Sequence, residues 1–158
     1  MASVSEKTPI PKKTRTAVIS PVNANVLVIE DNPDIMQTLG MILMGKGYGV
    51  RPVSSRDEAL RVLSHYLYDV IIMDLFMPGI GPVEFIKEAR LRCPRSQYIL
   101  LTASEHVEKE ADTLGILHWI GKPFDPDDVL EAVRQCTERI PYPHPPRGDV
   151  KDGTMNVE

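Results

Sequence analysis

Between two acidic residues the chain runs Asp69-Val-Ile-Ile-Met-Asp-Leu-Phe-Met-Pro-Gly79. Val70 to Met73 are apolar and lead straight into Asp74, after which Met77-Pro78-Gly79 turns the chain. A short apolar run bounded by turn signals reads as a strand buried on both faces, as in a parallel sheet. Such a strand delivers Asp74 to its C-terminal edge, where open α/β sheets place their ligands. Taken alone, a strand-end Asp is equally suited to starting a turn.

Outward from this stretch, four more apolar runs alternate with helical patterns. Asn25-Val-Leu-Val-Ile29 leads into Glu30-Asp31-Asn32-Pro33, where an Asn or Asp cap precedes a proline suited to the first helical position. Ile35, Met36, Leu39, Ile42 and Leu43 then line one helix face to about Gly45. The run Tyr48 to Val53 contains Pro52, which cannot donate a ladder hydrogen bond and so belongs at a sheet edge. Ser54 or Ser55 caps a helix carrying Ala59, Leu60, Val62 and Leu63. Past Asp74, Pro82 opens a third helix with Phe85, Ile86 and Ala89 inward, closed by Cys93-Pro94. The run from Gln97 to Thr102 precedes a charged helix ending at Gly115. The last run is Ile116 to Ile120, followed by Gly121-Lys-Pro-Phe124 and a helix after Asp125 with Val129, Leu130 and Val133 inward.

This is a (βα)5 pattern, which implies a doubly wound parallel sheet with helices on both faces. The common strand order 2-1-3-4-5 puts the Pro52 strand at an edge and makes strands one and three neighbours. Glu30, Asp31 and Asp74 then meet at the topological switch point.

At 158 residues the chain has room for one domain with tails. Residues 1–24 are rich in Ser, Thr, Pro and Lys and are expected to form a flexible basic tail, with Lys7, Lys12, Lys13 and Arg15 against Glu6. Residues 25–140 are expected to form the domain, and 141–158 a Pro-rich polar tail. The overall charge of −4 therefore sits on an acidic core, which argues against nucleic acid as a direct partner. Cys93 and Cys136 lack metal-type spacing and read as small buried hydrophobes. Without a signal-peptide pattern or 18 continuous apolar residues, no membrane association and a cytoplasmic location are expected.

Three carboxylates a few ångströms apart repel one another, each pair by on the order of 4 kcal/mol at 4 Å and an effective dielectric of 20. A shared proton or a bound cation relieves this. Oxygen-only ligands with room for water favour Mg²⁺ beside a phosphate. The neighbouring strands end near Thr102 and Lys122, which add a hydroxyl and an ammonium. That set suits phosphoryl chemistry, where positioning and charge neutralisation do most of the work. Each residue also has a plainer role open to it. Glu30 and Asp31 suit a helix N-terminus, Thr102-Ala-Ser-Glu105 fits a capping box, and Lys122 would serve as a surface lysine.

Four motifs carry a resemblance: Val-Ile-Glu-Asp-Asn-Pro-Asp34, Ile-Met-Asp-Leu-Phe-Met-Pro78, Leu-Leu-Thr-Ala-Ser104 and Gly-Lys-Pro-Phe124. Together they make the chain resemble the CheY-like receiver domains of two-component response regulators, which have a flavodoxin-like fold. The resemblance implies that Asp74 accepts a phosphoryl group from a sensor histidine kinase or histidine phosphotransfer protein. It implies Mg²⁺ held directly by Asp31, Asp74 and the backbone carbonyl of Phe76, with Glu30 acting through water. Thr102 and Lys122 would contact the phosphoryl oxygens, Trp119 stands at the usual place of an aromatic switch residue, and the bond before Pro123 would be cis. A second copy or an effector protein would read the face made by the fourth helix, fifth strand and fifth helix. Such a domain is not an enzyme beyond self-catalysed phosphoryl acceptance and slow autodephosphorylation.

The pattern departs from the family in two places. Gly81-Pro82 replaces the usual Asp-Gly, so the third helix is expected to start differently, and Phe76 stands where a smaller or polar residue is common. The Phe76 ring is positioned by sequence to shield an acyl phosphate from water. Haloacid-dehalogenase-like phosphohydrolases also use a strand-end Asp, but they need a second Asp where this chain has Phe76. A receiver-like adaptor acting by contact without phosphorylation is the remaining alternative. No output domain is expected after residue 140, so the sequence reads as a stand-alone receiver.

Overall fold

In the computed structural model, residues 24–138 are described together with the backbone of 150–151 and 154–155. The expected N-terminal tail, apart from Ala24, lies outside the described residues. So does the C-terminal tail, except that Val150–Lys151 and Thr154–Met155 pair as a short antiparallel ladder.

The main sheet has five parallel strands: β1 (Asn25–Ile29), β2 (Gly49–Val53), β3 (Val70–Asp74), β4 (Gln97–Thr102) and β5 (His118–Gly121). Their order is β2-β1-β3-β4-β5, as the alternating pattern predicts. Five helices connect or follow them: α1 (Pro33–Met44), α2 (Arg56–Leu63), α3 (Pro82–Arg92), α4 (Val107–Leu114) and α5 (Pro126–Glu138).

Two cores explain why the central strands are apolar throughout rather than alternating. Leu27, Ile29, Ile71, Met73 and Leu100 face α2, α3 and α4, whose Ala59, Phe85, Ile86 and Ala111 fill that side. Val26, Val28, Val70, Ile72, Ile99 and Leu101 face α1 and α5, against Leu39, Leu43, Val129 and Val133. Successive strand residues point to opposite faces, so a strand covered on both sides needs apolar residues at every position. Fully burying each such side chain stabilises the fold by about 1.5–3 kcal/mol. Pro52 lies on β2, at the edge, as its missing N–H requires.

The local signals mostly act as read. Asn32 caps α1, its side chain accepting from the N–H groups of Asp34 and Ile35, and Pro33 takes the first position. Ser55, not Ser54, caps α2 and accepts from Glu58 N. The cap of α3 is Gly81, with no side-chain hydrogen bond, and Pro82 takes the first position.

Two expectations need correction. The capping box over Thr102 to Glu105 does not form. Thr102 Oγ1 instead accepts from Ser104 N, Ser104 Oγ accepts from His106 N, and α4 begins only at Val107. The last strand begins at His118 rather than Ile116. Gly115 ends α4 in the left-handed region (φ +70°), and the N–H of Ile116 is consumed by Ala111 O at 2.8 Å.

Candidate functional site

Three strands end together at one edge. Ile29 pairs with Met73, and Asp74 pairs with Leu101, so Glu30, Asp74 and Thr102 follow the last covered residues of adjacent strands. Carboxylate oxygens of Glu30, Asp31 and Asp74 all lie within 4.8 Å of one another. Glu30 is 1% exposed and Asp74 5%, whereas Asp31 faces solvent. Thr102 is fully buried on β4, and its carbonyl accepts from Lys122 N at 2.8 Å, which ties the end of β5 to the end of β4.

Lys122 is the counter-charge. Its Nζ donates to Asp74 Oδ2 at 2.8 Å and lies 3.0 Å from Glu30 Oε1. The second contact is an ion pair without hydrogen-bond alignment, and Glu30 Oε1 is a buried oxygen with no hydrogen bond. The other oxygen, Glu30 Oε2, accepts from Asn32 N at 3.0 Å. Phe76 N donates to Asp74 Oδ1 at 3.1 Å.

Burial pushes the Glu30 carboxyl up from its ordinary value, with the Asp74 charge adding to the shift. The Asn32 N–H and Lys122 pull it down only in part. Burial also works against the Lys122 ammonium, but its close contacts with and attraction to Asp74 and Glu30 prevail and hold its pKa above the ordinary value.

The remaining sequence-predicted residues take up different positions. The bond between Lys122 and Pro123 is cis. Trp119 lies on β5 opposite Leu100 and is 38% exposed, with β4 between it and the strand that carries Asp74. Phe76 is 61% exposed and, with Leu75, Val83 and His106, lines an open cleft of about 580 Å³ between α3 and α4.

Arg56 is the residue that sequence reading misses. It is 1% exposed, and it donates to the carbonyls of Asp74, Leu75, Met77 and Ile80. Burial lowers its pKa, opposed by the charges of Asp74 and Asp57. The available signal was a cation at the first helical position, where the helix dipole disfavours it.

The donor set fits a hard divalent cation. It offers oxygen atoms only, from carboxylates brought together against their own repulsion, with one buried oxygen left without a hydrogen bond. This set lies at the switch point of a doubly wound parallel sheet, where such folds place their ligands.

A model of the response regulator receiver domain matches residues 26–134, and the chain belongs to that family. It is 37% identical over 123 residues to the hydrogenase transcriptional regulatory protein HoxA of Cupriavidus necator, covering 76% of this chain and 25% of that protein. Identity to the response regulator SaeR of Staphylococcus aureus is 29%, over 77% of this chain and 54% of that one. The chain thus spans a quarter to about half the length of these curated relatives. Among solved structures, the chemotaxis response regulator CheY4 of Vibrio cholerae is 31% identical with a TM-score of 0.66, covering 72% of this chain and 98% of that one. The response regulator TrrA of Thermotoga maritima, solved in complex with Mg²⁺-BeF, is 30% identical with a TM-score of 0.65 and the same coverage. Among the described residues, no helix is long and apolar enough to cross a membrane.

Proposed function

We propose that residues 25–140 form a receiver in which Asp74 accepts a phosphoryl group from a phosphohistidine on a sensor histidine kinase or histidine phosphotransfer protein. The observation that carries this reading is the convergence of Glu30, Asp31 and Asp74 at one sheet edge, with the Lys122 ammonium 2.8 Å from Asp74.

A carboxylate oxygen of Asp74 attacks phosphorus, the P–N bond of the donor breaks, and the departing imidazole keeps the bond pair and is protonated. Lys122 orients the Asp74 carboxylate through Oδ2 and the Phe76 N–H through Oδ1, so the nucleophile is held from two sides. Asp31, Asp74 and the Phe76 carbonyl would hold Mg²⁺, with Glu30 acting through water. The cation would neutralise charge on the phosphoryl oxygens. Once Asp74 carries the phosphoryl group as a mixed anhydride its carboxylate charge is gone. Its ion pair with Lys122 then weakens, and the ammonium is free to pair with the new oxygens. Thr102 is the nearby hydroxyl for the same purpose.

The phosphoryl group adds charge and strong acceptors, and a ligand shifts a two-state equilibrium only through contacts that differ between the states. Thr102 and Lys122 supply that difference here, and Trp119 on β5 is the aromatic that reports it. The face of α4, β5 and α5 then changes shape for an effector or a second copy. Cys93 and Cys136 are buried thiols, which suits a cytoplasmic setting.

Intact-mass analysis after incubation with Mg²⁺ and a small phosphodonor, alongside Asp74→Ala and a chelator control, tests the assignment. One added phosphoryl group in the parent alone is expected. If neither small donors nor phosphorylated kinases add it, the domain works by contact without phosphorylation and the reading fails.

A further inference from the structure

Arg56 is a buried cation in an unfavourable place. It follows the Ser55 cap as the first residue of α2, at the positive end of the helix dipole, and it is 1% exposed. No carboxylate is among its hydrogen-bond partners. Its two terminal nitrogens instead donate to four backbone carbonyls: Nη2 to Asp74 O at 3.2 Å and Leu75 O at 2.6 Å, Nη1 to Ile80 O at 2.6 Å and Met77 O at 3.4 Å. All four belong to the end of β3 and the loop that leads to α3. The Nε atom is left buried without a partner, so the side chain is placed for what its fork reaches and not for its own full satisfaction.

The four carbonyls bracket Phe76 and omit it. Arg56 takes the carbonyl before it, Leu75, and the one after it, Met77. Fixing both neighbouring peptide planes limits the directions in which the Phe76 carbonyl can point. The loop can lie this close to the start of α2 because Gly79 sits at φ +98°, where an added Cβ would come 3.1 Å from Asp57 Oδ2.

We propose that Arg56 is a positioning residue of the phosphoryl-acceptor site: its guanidinium fork holds the 74–80 backbone so that the Phe76 carbonyl is kept for a divalent cation bound by Asp31 and Asp74. The assignment rests on the receiver reading and extends it to a residue in a different element, 18 positions before the phosphoacceptor. Arg is the side chain that suits the task. A planar fork with several donors in fixed directions can order successive carbonyls, whereas the lysine ammonium is a point charge with no preferred plane.

The test compares the full chain with Arg56→Lys, which keeps the charge and loses the fork, and with Arg56→Gln, which keeps a planar donor and loses the charge. Mg²⁺ affinity is measured by calorimetry and amide hydrogen exchange is followed at residues 75–81. Arg56→Lys should weaken Mg²⁺ binding about tenfold or more, the usual effect of removing an outer partner of a metal site. Exchange should quicken in 75–81 while the amides of α1 and α5 stay as protected as in the parent. Arg56→Gln should fall between the parent and Arg56→Lys in loop exchange. Mg²⁺ affinity within twofold of the parent in Arg56→Lys, with or without faster loop exchange, overturns the assignment and leaves the receiver reading standing. A parent protein that binds no Mg²⁺ overturns both. Should the variants not fold, the guanidinium NMR signals of Arg56 in the parent decide. They should shift on Mg²⁺ addition and stay unmoved in Asp31→Asn, and an absence of any shift in the parent rejects the role.

Discussion

Replacing Lys122 by Met removes the ammonium from the site while keeping a stem of similar length. In the parent, Nζ lies 2.8 Å from Asp74 Oδ2 and 3.0 Å from Glu30 Oε1, and both carboxylates are buried. Coulomb's law with an effective dielectric of 20 gives each contact roughly 5–6 kcal/mol before desolvation is counted. Removing one partner of a buried pair generally costs about 3–5 kcal/mol, because the other charge is left uncompensated. Lys122 keeps some exposure (side chain 18%), so the lower end, about 3 kcal/mol, is expected without metal. For a folded unit of this size that is a fall of roughly 10–15 °C in Tm.

The loss should depend on pH in a definite direction. The Glu30 pKa is already above its ordinary 4.5, and Lys122 is one of the groups holding it down, so the variant raises it further. A carboxyl whose folded pKa exceeds its unfolded value binds its proton more tightly when folded. The associated stability is fully present below the unfolded value and is lost as pH rises through the folded one. The deficit of Lys122→Met is therefore greatest at neutral pH and above, and it shrinks as pH falls toward about 4.5. The raised pKa of Lys122 keeps the parent ion pairs intact across this window, since their contribution is lost only above the lysine's folded value. Mg²⁺ should also stabilise the variant more than the parent, because a second cation no longer competes for the carboxylates. Urea unfolding at pH 5 and 8, with chelator and with Mg²⁺, reads all of these effects. A deficit independent of both pH and Mg²⁺ would mean that only the packing of the lysine stem was lost, and the electrostatic account would be wrong.

Gly79→Ala should destabilise by about 1–2 kcal/mol, because it forces a Cβ into the left-handed region and to within 3.1 Å of Asp57 Oδ2. A lowered urea midpoint with an unchanged slope is expected, and an unchanged midpoint refutes the strain. Phe76→Asn should shorten the lifetime of the phosphorylated protein by opening the acyl phosphate to water, while the Phe76 backbone N–H remains available to Asp74 Oδ1. Equal rates of phosphate loss in variant and parent would sink that role for the ring.

What the sequence revealed, and what it hid, divides on a physical line. Strand ends were legible because burial on both faces forces unbroken apolar runs, and the residue after each run is placed by the sheet itself. Glu30, Asp74 and Thr102 were located in this way, with Lys122 two residues beyond Ile120. The same logic separates Asp74, which follows its run, from Asp69, which precedes it. Asp69 lies at the opposite end, where its carboxylate accepts from Asn25 N at 2.8 Å. Arg56 was hidden because its partners lie 18 to 24 residues later and are backbone carbonyls, which carry no side-chain signature. The start of β5 was misplaced because Ile116 is apolar for a different reason. It packs in the core while its N–H closes α4.

The placement of the site at the limit of the two cores also bears on how a switch would work. Ile29, Met73 and Leu101 are each fully buried, so the strand ends cannot shift without opening voids in close-packed layers. That rigidity holds three acids together despite their repulsion. It also means that charge added at Asp74 must be accommodated by something other than β1, β3 or β4. The edge strand β5 is the softer element, with four residues of which only Ile120 is buried. Its last turn is coupled to the site twice over, through the Lys122 side chain to Asp74 and through Lys122 N to Thr102 O. In the proposed switch, a phosphoryl group that draws Lys122 toward itself therefore acts on β5 directly. Trp119, three residues earlier and already half out of the core, is the side chain free to respond.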